Sequence, residues 1–177
     1  MDDYLKALCI ELHHIAKETE GKTLNTIYIG GGTPTTLTAK QLEKLLNVID
    51  ELFLNEERGA ELLEDTVEAG RPDSITKEKL EVICSHPVTR ISVNPQTMQQ
   101  KTLDLVGRKH SVQAVKEIFH LARELGFDNI NMDLIAGLPG ENAEDMRDTL
   151  RQIEELSPDS LTVHSLAIKR AARMAQE

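Results

Sequence analysis

The residues whose types and spacing point most directly to chemistry are Gly30-Gly31-Gly32-Thr33-Pro34-Thr35, which follow the β-branched and aromatic run Thr26–Ile29. Glycines have no Cβ atom, so they allow positive φ angles and expose main-chain N–H groups, while the proline fixes the exit direction. Such a turn can hold a small polar or anionic group of a ligand. The dinucleotide fingerprint would need a glycine at Thr35 and the P-loop a Gly-Lys-Ser/Thr ending, so neither motif fits. Close packing of a strand-to-helix turn is an equally good explanation of the glycines.

Two carboxylates on other predicted strands, Glu68 and Asp133, are the second candidate for chemistry. A carboxylate buried without a partner is too costly to persist, so each should meet a cation or several hydrogen-bond donors. We expect Arg108 or a bound ligand to supply them. A salt-bridge network inside the protein is the alternative. His164, on the last predicted strand, is expected to be a hydrogen-bonded core histidine rather than a general base.

Composition excludes several classes of function. The formal charge of −10 argues against a nucleic-acid or anionic-membrane surface, because both call for clustered Lys and Arg. The two cysteines, Cys9 and Cys84, are far apart, which excludes a disulfide scaffold and a self-sufficient zinc or iron–sulfur site. Adjacent histidines on a helix point about 100° apart, so His13 and His14 are expected to be surface residues rather than a pair of metal ligands.

Chain length and targeting signals bear on the number of domains and on the cellular location of the protein. Its 177 residues, 40% of them hydrophobic, suffice for one core, so we expect a single domain or part of one. No apolar run approaches the roughly 20 residues of a membrane span, and the acidic start Met1-Asp2-Asp3-Tyr4 is unlike a signal peptide. We expect a cytoplasmic protein with no metal ligands, no nucleic-acid partner and no membrane partner, which binds a small molecule or a protein.

The elements that must position these residues alternate regularly. Strands are predicted at residues 25–30, 62–69, 88–94, 129–135 and 160–166. Helices are predicted at residues 4–19, 39–54, 77–84 and 99–106, and in the segments 111–126 and 142–157, with caps at Thr38, Thr76, Ser111 and Asn142. The five strands are spaced widely enough for right-handed crossovers, which predicts a parallel α/β sheet or barrel.

The strand faces distinguish the barrel from a doubly wound sheet. Strands covered by helices on both sides should be nearly continuous apolar runs. Here apolar and polar residues alternate instead, as in Ile91-Ser92-Val93-Asn94 and Ile130-Asn131-Met132-Asp133. The apolar residues should face the helices, and the polar ones a common interior that holds a ligand, as in a wide or incomplete barrel. Glu68 and Asp133 both belong to the predicted inner face.

Several motifs together resemble those of the radical S-adenosylmethionine (SAM) enzymes, and within them the oxygen-independent coproporphyrinogen III oxidases. The motifs, in family order and covering nearly the whole chain, are Gly30–Thr35, Val67–Pro72, Val106–His110 and Asn131–Gly140. Two more segments, Asn94–Met98 and Leu161–Arg170, are similar to the coproporphyrinogen dehydrogenase branch of the family. The resemblance implies a partial parallel (β/α)6 TIM-like barrel, with five of its strands in this chain and SAM bound across the strand C-termini.

The resemblance also implies a set of cofactor-binding residues. Gly31, Gly32 and Thr33 would meet the methionine end of SAM, with a further polar contact from Glu68. Gln96 and Asp133 would hold ribose hydroxyls. Arg108 would meet a carboxylate, and the Ala167 backbone would touch adenine. Both this resemblance and the alternation of strand residues select Glu68 and Asp133.

One departure from the family is large. The Cys-x-x-x-Cys-x-x-Cys motif that holds a [4Fe–4S] cluster in the family has no counterpart here, and the strand before it is missing too. We therefore expect residues 1–177 to be the central part of a radical SAM barrel domain, without the N-terminal cluster segment and the C-terminal region. Strand 25–30 should then be a sheet edge, whose unpaired backbone groups invite self-association.

The function that the resemblance implies belongs to the full-length parent. That parent would oxidatively decarboxylate two propionates of coproporphyrinogen III to vinyl groups, giving protoporphyrinogen IX in haem biosynthesis. In the family, the cluster reduces SAM and the resulting radical takes hydrogen from the propionate β-carbon before carbon dioxide leaves. A haem chaperone of the same superfamily and a cluster-less SAM-binding scaffold are the alternatives. Lys169, Arg170 and Arg173 could meet substrate carboxylates or form a solvated basic helix face.

Overall fold

The computed structural model describes residues 1–55 and 63–167, in which helices and strands alternate. The elements are α1 (Asp2–Glu18), β1 (Thr26–Ile29), a 3-10 turn (Pro34–Thr36), α2 (Ala39–Phe53), β2 (Glu64–Gly70), a second 3-10 turn (Pro72–Ser74), α3 (Lys77–Cys84), β3 (Arg90–Gln96), α4 (Gln100–Leu105), α5 (Val112–Glu124), β4 (Ile130–Ala136), α6 (Ala143–Leu156) and β5 (Ser160–Ser165). The predicted strands are confirmed, and Lys169, Arg170 and Arg173 lie outside the described residues.

The strands form a single parallel sheet in the order β1-β2-β3-β4-β5, with the helices on its outer side. Strands that are consecutive both in sequence and in space make an open barrel arc, since each connection places its helix on the same side. The prediction of a partial parallel barrel is therefore confirmed. No helix among the described residues is long and apolar enough to cross a membrane.

The hydrophobic core fills the space between the outer face of the sheet and the helices. The strand side chains in it are completely buried: Val67, Ile91, Val93, Ile130, Met132 and Leu134. They belong to one cluster with helix residues such as Leu42, Leu80 and Phe119. The alternation in the sequence thus directs one set of side chains into the core, which leaves the polar set on the inner face.

β5 differs from this pattern. Its apolar residues Leu161 and Val163, predicted to lie beneath helices, are 39% and 47% exposed. The physical reason is position, because β5 pairs only with β4 in the described sheet and has no neighbour on its other side there. Fewer elements therefore cover it than cover β2, β3 and β4.

Side-chain caps fix where the helices begin. The Thr38 hydroxyl accepts a hydrogen bond from the Gln41 N–H at 3.3 Å, and the Gln41 side chain accepts one from the Thr38 N–H at 3.0 Å. Asn142 and Asp145 form the same capping box at α6. Each box satisfies N–H groups that a first helical turn leaves free, so the loops above the strands end at defined positions.

Regular strand pairing breaks down at the C-terminal ends of β2 and β3. The register shifts between Glu68 and Gly70, and again between Val93 and Gln96. Gly70 has a φ of 80° and Gln96 a φ of 70°. A positive φ is uncommon for a residue other than glycine, so the surrounding structure must hold Gln96 in place. These irregular ends lie beside the predicted site.

Candidate cofactor-binding site

Glu68 lies on the inner face of β2, directly beside the glycine loop. Its Oε2 accepts hydrogen bonds from the Tyr28 hydroxyl at 3.4 Å and from the Gly31 N–H at 3.3 Å. Its Oε1 accepts one from the Asn94 side-chain amide at 3.1 Å. Neutral donors on β1, β3 and the glycine loop therefore satisfy this carboxylate, and they aim it at the region above the strand ends.

Asp133 lies on the inner face of β4 and is half-buried. Its Oδ1 accepts a hydrogen bond from the Asn131 side-chain amide at 2.6 Å. The same amide donates to Ser92 Oγ at 3.0 Å, and Ser92 donates to Asn94 at 3.1 Å. A continuous line of polar contacts thus joins Asp133 to Glu68 across β3. The predicted polar inner face is confirmed by these contacts.

Glu68 has the several donors that were expected, but Arg108, one of the two expected sources, does not supply them to either carboxylate in the described part of the chain. Within residues 1–55 and 63–167, neither Glu68 nor Asp133 makes an ion pair, and Arg108 is half-buried without one. The inner-face cation is instead Arg90, which lies 3.4 Å from Glu64 and donates to Ser160 at 3.2 Å. Glu64 and Arg90 sit at the N-terminal ends of their strands, so this pair is remote from the site. This inner-face ion pair therefore lies at the other end of the barrel and is not part of a salt-bridge network around Glu68 and Asp133.

The glycine loop is tightly packed at Gly30 and open at Gly31 and Gly32. A Cβ on Gly30 would collide with the Tyr28 ring and would come within 2.9 Å of Glu68 Oε2. A Cβ on Gly31 or Gly32 would meet no atom within 4 Å. The loop is thus tight against Glu68 and open above Gly31 and Gly32, where main-chain groups can be reached from outside.

Thr35, Ser74 and Lys79 hold this loop in place, and their role was not predicted. The Thr35 side chain is buried; it donates to the Ala69 carbonyl at 2.5 Å and lies 2.6 Å from Ser74 Oγ. The Lys79 ammonium donates to the carbonyls of Thr35 at 2.5 Å and Ser74 at 2.9 Å. Burial lowers the pKa of Lys79. No local sequence pattern predicts these contacts, because they join residues on different elements.

Tyr28 is a fourth residue whose contact at the site was not predicted. It lies in the run Thr26–Ile29 before the glycines, and its hydroxyl donates to Glu68 while its side chain is largely exposed at the strand end. Partial desolvation of the hydroxyl, followed by the nearby Glu68 carboxylate, raises the pKa of Tyr28. The hydroxyl therefore stays protonated and donates to the carboxylate.

The remaining predicted residues lie near this region without contacting each other. Gln96 ends β3 and is half-buried, while Ala167 follows β5 and is exposed. His164 is also exposed, so the prediction of a core histidine was wrong. The reason is the open side of β5, which leaves its C-terminal half uncovered. No group of three potential metal ligands occurs among the described residues.

The chemistry of the donor set suits a zwitterionic ligand that also carries hydroxyl groups. Half-buried carboxylates accept strong hydrogen bonds from an ammonium group and good ones from hydroxyls. The Gly31 N–H already donates to Glu68, and the main chain at Gly32, where a Cβ would meet no atom, is open to a ligand carboxylate. In parallel α/β folds, such ligands bind beyond the carboxyl ends of the strands.

Comparison with known proteins identifies the family. The sequence pattern of the radical SAM superfamily matches residues 9–153. This chain belongs to the radical SAM superfamily. It is 47% identical over 153 residues to the oxygen-independent coproporphyrinogen-III oxidase-like protein HemZ of Bacillus subtilis, covering 86% of this chain and 30% of HemZ. It is 36% identical over 169 residues to the heme chaperone HemW of the same organism, covering 96% of this chain and 44% of HemW.

A solved structure of the same family is similar to this chain over nearly its whole length. Coproporphyrinogen III oxidase HemN from Escherichia coli superposes with a TM-score of 0.85 at 32% identity, over 99% of this chain and 39% of that protein. An archaeal Elp3 from Methanocaldococcus infernus shares the fold with a TM-score of 0.73 at 18% identity. The chain therefore spans less than half the length of these relatives, and it falls within the group that includes HemN, HemZ and HemW.

The two cofactors of this superfamily fit the described residues differently. SAM carries an ammonium, a carboxylate and ribose hydroxyls, which match Glu68, Asp133 and the open glycine backbone. A [4Fe–4S] cluster needs several thiolates close together. Cys9 is buried, Cys84 is exposed, and no metal-binding group includes either of them among the described residues. The residues described here therefore do not fit the cluster.

Proposed function

We propose that this chain forms the SAM-binding arc of a radical SAM protein, and that the complete protein oxidises coproporphyrinogen III to protoporphyrinogen IX. One observation carries the first part. The carboxylates of Glu68 and Asp133 lie on the inner faces of β2 and β4, that of Glu68 beside the open glycine loop, and both are held by neutral donors rather than by cations. Both retain acceptor capacity for ligand donors.

Each candidate residue receives a role within this proposal. Gly31, Gly32 and Thr33 would bind the methionine end of SAM through their main chain, with Glu68 accepting from its ammonium group. Asp133 and Gln96 would bind the ribose hydroxyls. Arg108 would approach the ligand carboxylate, and the Ala167 main chain would touch adenine. The radical chemistry itself would come from the cofactors, while these side chains bind and orient.

Titration calorimetry of the 177-residue chain with SAM tests the site. We expect weak but measurable binding, because the open arc admits water, which weakens each charged contact. Asp133→Ala should cost about 1–3 kcal/mol of binding free energy, since the ribose would lose a charged acceptor. Glu68→Ala should weaken binding similarly.

Glu64→Ala is the matched control for these variants. Glu64 is on the same strand and the same face as Glu68, but at the remote end, where it pairs with Arg90. It should leave the affinity for SAM unchanged. Equal affinities for the wild type, Glu68→Ala and Asp133→Ala would show that the inner carboxylates are structural.

The substrate needs a separate experiment on the complete protein. HemZ, at 47% identity, is named for coproporphyrinogen oxidation, whereas HemW, at 36%, is named a heme chaperone. The higher identity to HemZ favours the oxidase, and the similarity to HemW makes haem carriage the alternative function. Anaerobic reconstitution of the complete protein, followed by an assay for protoporphyrinogen, separates them. Stoichiometric haem binding without turnover would favour the chaperone.

A scaffold without a cluster is the third candidate. It is tested by reading the open reading frame upstream of the coding sequence for this chain. A Cys-x-x-x-Cys-x-x-Cys motif there would support the enzyme, and its absence would contradict the oxidase proposal. We also propose a cytoplasmic location, which suits iron–sulfur and porphyrinogen chemistry in a reducing compartment.

A further inference from the structure

His110 occupies the loop between α4 and α5, and its side chain is fully buried. Its Nε2 lies 3.3 Å from the Pro95 carbonyl oxygen. On the other side of the ring, Nδ1 lies 3.7 Å from Asp73 Oδ1 and has no hydrogen-bond partner among the described residues. The imidazole therefore stands between the turn that follows β2 and the end of β3.

The contact with Pro95 fixes the direction of one hydrogen bond. A carbonyl oxygen only accepts, so Nε2 of His110 must donate. This carbonyl belongs to the peptide unit that leads into Gln96, whose φ is 70°. Backbone strain of this kind persists only where neighbouring groups hold the chain, and His110 holds the carbonyl directly before the strained residue.

The opposite side of the ring connects to the glycine loop. Asp73 belongs to the turn Pro72–Ser74, where Arg71 Nε also approaches Asp73 Oδ1, at 3.6 Å. Ser74 of the same turn contacts Thr35, and Lys79 bridges the carbonyls of both residues. His110 thus joins the end of β3 to a turn that already holds the glycine loop.

We propose that His110 is a positioning residue, which keeps Gln96 in its left-handed conformation so that Gln96 can bind the ligand. The proposal rests on the SAM site proposed above, where Gln96 binds a ribose hydroxyl. His110 acts through the Pro95 carbonyl and not by touching the ligand. Its effect on binding should therefore depend on Gln96.

Two substitutions at His110 distinguish the role of Nε2 from that of Nδ1. In His110→Gln the amide nitrogen can take the place of Nε2 and donate to Pro95, whereas in His110→Asn the shorter amide corresponds to Nδ1 and cannot reach it. Both variants keep a buried polar group, but only His110→Asn loses the hydrogen bond to the Pro95 carbonyl. We expect His110→Gln to bind SAM nearly as well as the wild type and His110→Asn to bind about tenfold more weakly.

A double-mutant cycle tests whether His110 affects SAM binding through Gln96. If His110 acts through Gln96, then His110→Asn should weaken binding little further in a Gln96→Ala background. Additive losses would overturn the proposal, as would equal affinities for His110→Gln and His110→Asn.

Amide hydrogen exchange without SAM separates this proposal from the proposed function. We expect faster exchange in residues 94–99 for His110→Asn but not for His110→Gln. His86→Asn is the control, because His86 is also buried but pairs with Asp50 at the other end of β3. It should leave exchange at residues 94–99 unchanged. If the wild type fails to bind SAM but the exchange pattern holds, the SAM site is wrong and the positioning role stands. Unchanged exchange in His110→Asn would overturn the role of His110.

Discussion

Gly32 lies in the glycine loop and Gly70 is the last residue of β2, and the two glycines constrain the protein in different ways. Gly32 has open space where a Cβ would stand. At Gly70 the φ is 80°, and a Cβ would come within 2.7 Å of Thr33 Cγ2. The lack of a side chain at Gly32 therefore leaves the loop backbone accessible, whereas at Gly70 it allows the glycine loop to pack against β2.

Substitution of these two glycines should separate binding from stability. Gly32→Ala should leave the free energy of unfolding within about 0.5 kcal/mol of wild type but should weaken SAM binding, because the methyl group obstructs the loop backbone. Gly70→Ala should lower the free energy of unfolding by about 1–3 kcal/mol, from the positive φ and the contact with Thr33. Urea denaturation and SAM titration of both variants measure this. Unaltered SAM affinity in Gly32→Ala would place the ligand elsewhere.

Asp65 is an acidic residue buried on the outer face of β2, away from the candidate site. It is 1% exposed, and its Oδ1 has no hydrogen-bond partner among the described residues. Burial, followed by the nearby Asp50 carboxylate, raises the pKa of Asp65 to about 6. The folded protein thus holds this proton more tightly than the unfolded chain, whose aspartate pKa is about 3.9. Its contribution to stability is full below about pH 4 and is lost as the pH rises through about 6.

Asp65→Asn should remove this pH dependence. At pH 7 the variant should be more stable than the wild type by about 1–2 kcal/mol, because it avoids burying an ionised carboxylate. Near pH 4 the gain should disappear, since Asp65 is then protonated in the folded protein. Thermal or urea unfolding between pH 4 and pH 7 measures the difference. Asp128→Asn, at an exposed position, should show no such trend; a gain independent of pH would contradict the assignment to Asp65.

At the scale of elements, β1 is one of the two edges of the described sheet. It pairs only with β2 among the described residues, and both Thr26 and Tyr28 are exposed. An apolar groove of about 460 Å³ adjoins it, lined by Tyr4, Leu8 and Ile29 among others. The strand carries neither charge nor proline, the usual protection of an edge strand against pairing. We therefore expect concentration-dependent self-association through β1.

Thr26→Lys should reduce this self-association, because a lysine on an edge strand opposes pairing with a second copy. Sedimentation velocity across a range of protein concentrations measures the effect. Gln113→Lys adds the same charge at an exposed position on α5 and is the control. If both variants associate as strongly as the wild type, the interface lies away from β1. If both dissociate equally, net charge and not the strand controls association.

The whole chain combines the SAM contacts proposed above with only two cysteines, which lie far apart in the sequence. We expect anaerobic reconstitution of this chain with iron and sulfide to yield no [4Fe–4S] cluster, because the cluster needs several converging thiolates. Iron and sulfide analysis, with electron paramagnetic resonance after reduction, checks this. Cys9→Ala/Cys84→Ala is the control and should behave like the wild type. Incorporation of a cluster into the wild type alone would show that these cysteines converge in a second copy or a different conformation.

The sequence by itself determined the architecture of the barrel arc. Alternating residues such as Ile91-Ser92-Val93-Asn94, glycine-ended strands and capped helices are local patterns, and each acts through near neighbours in the chain. Strand order followed from short right-handed connections. For the same reason the inner-face positions of Glu68 and Asp133 could be predicted.

Only the tertiary structure decided which groups surround those carboxylates. Glu68 is satisfied by Tyr28, Gly31 and Asn94, not by Arg108, because strand register brings these donors together. The exposure of His164 likewise depends on what lies beside β5, and the bridge from Lys79 to Thr35 spans 44 residues of sequence. Sequence periodicity indicates which face of a strand a residue lies on, but it does not specify which residues of distant segments come into contact.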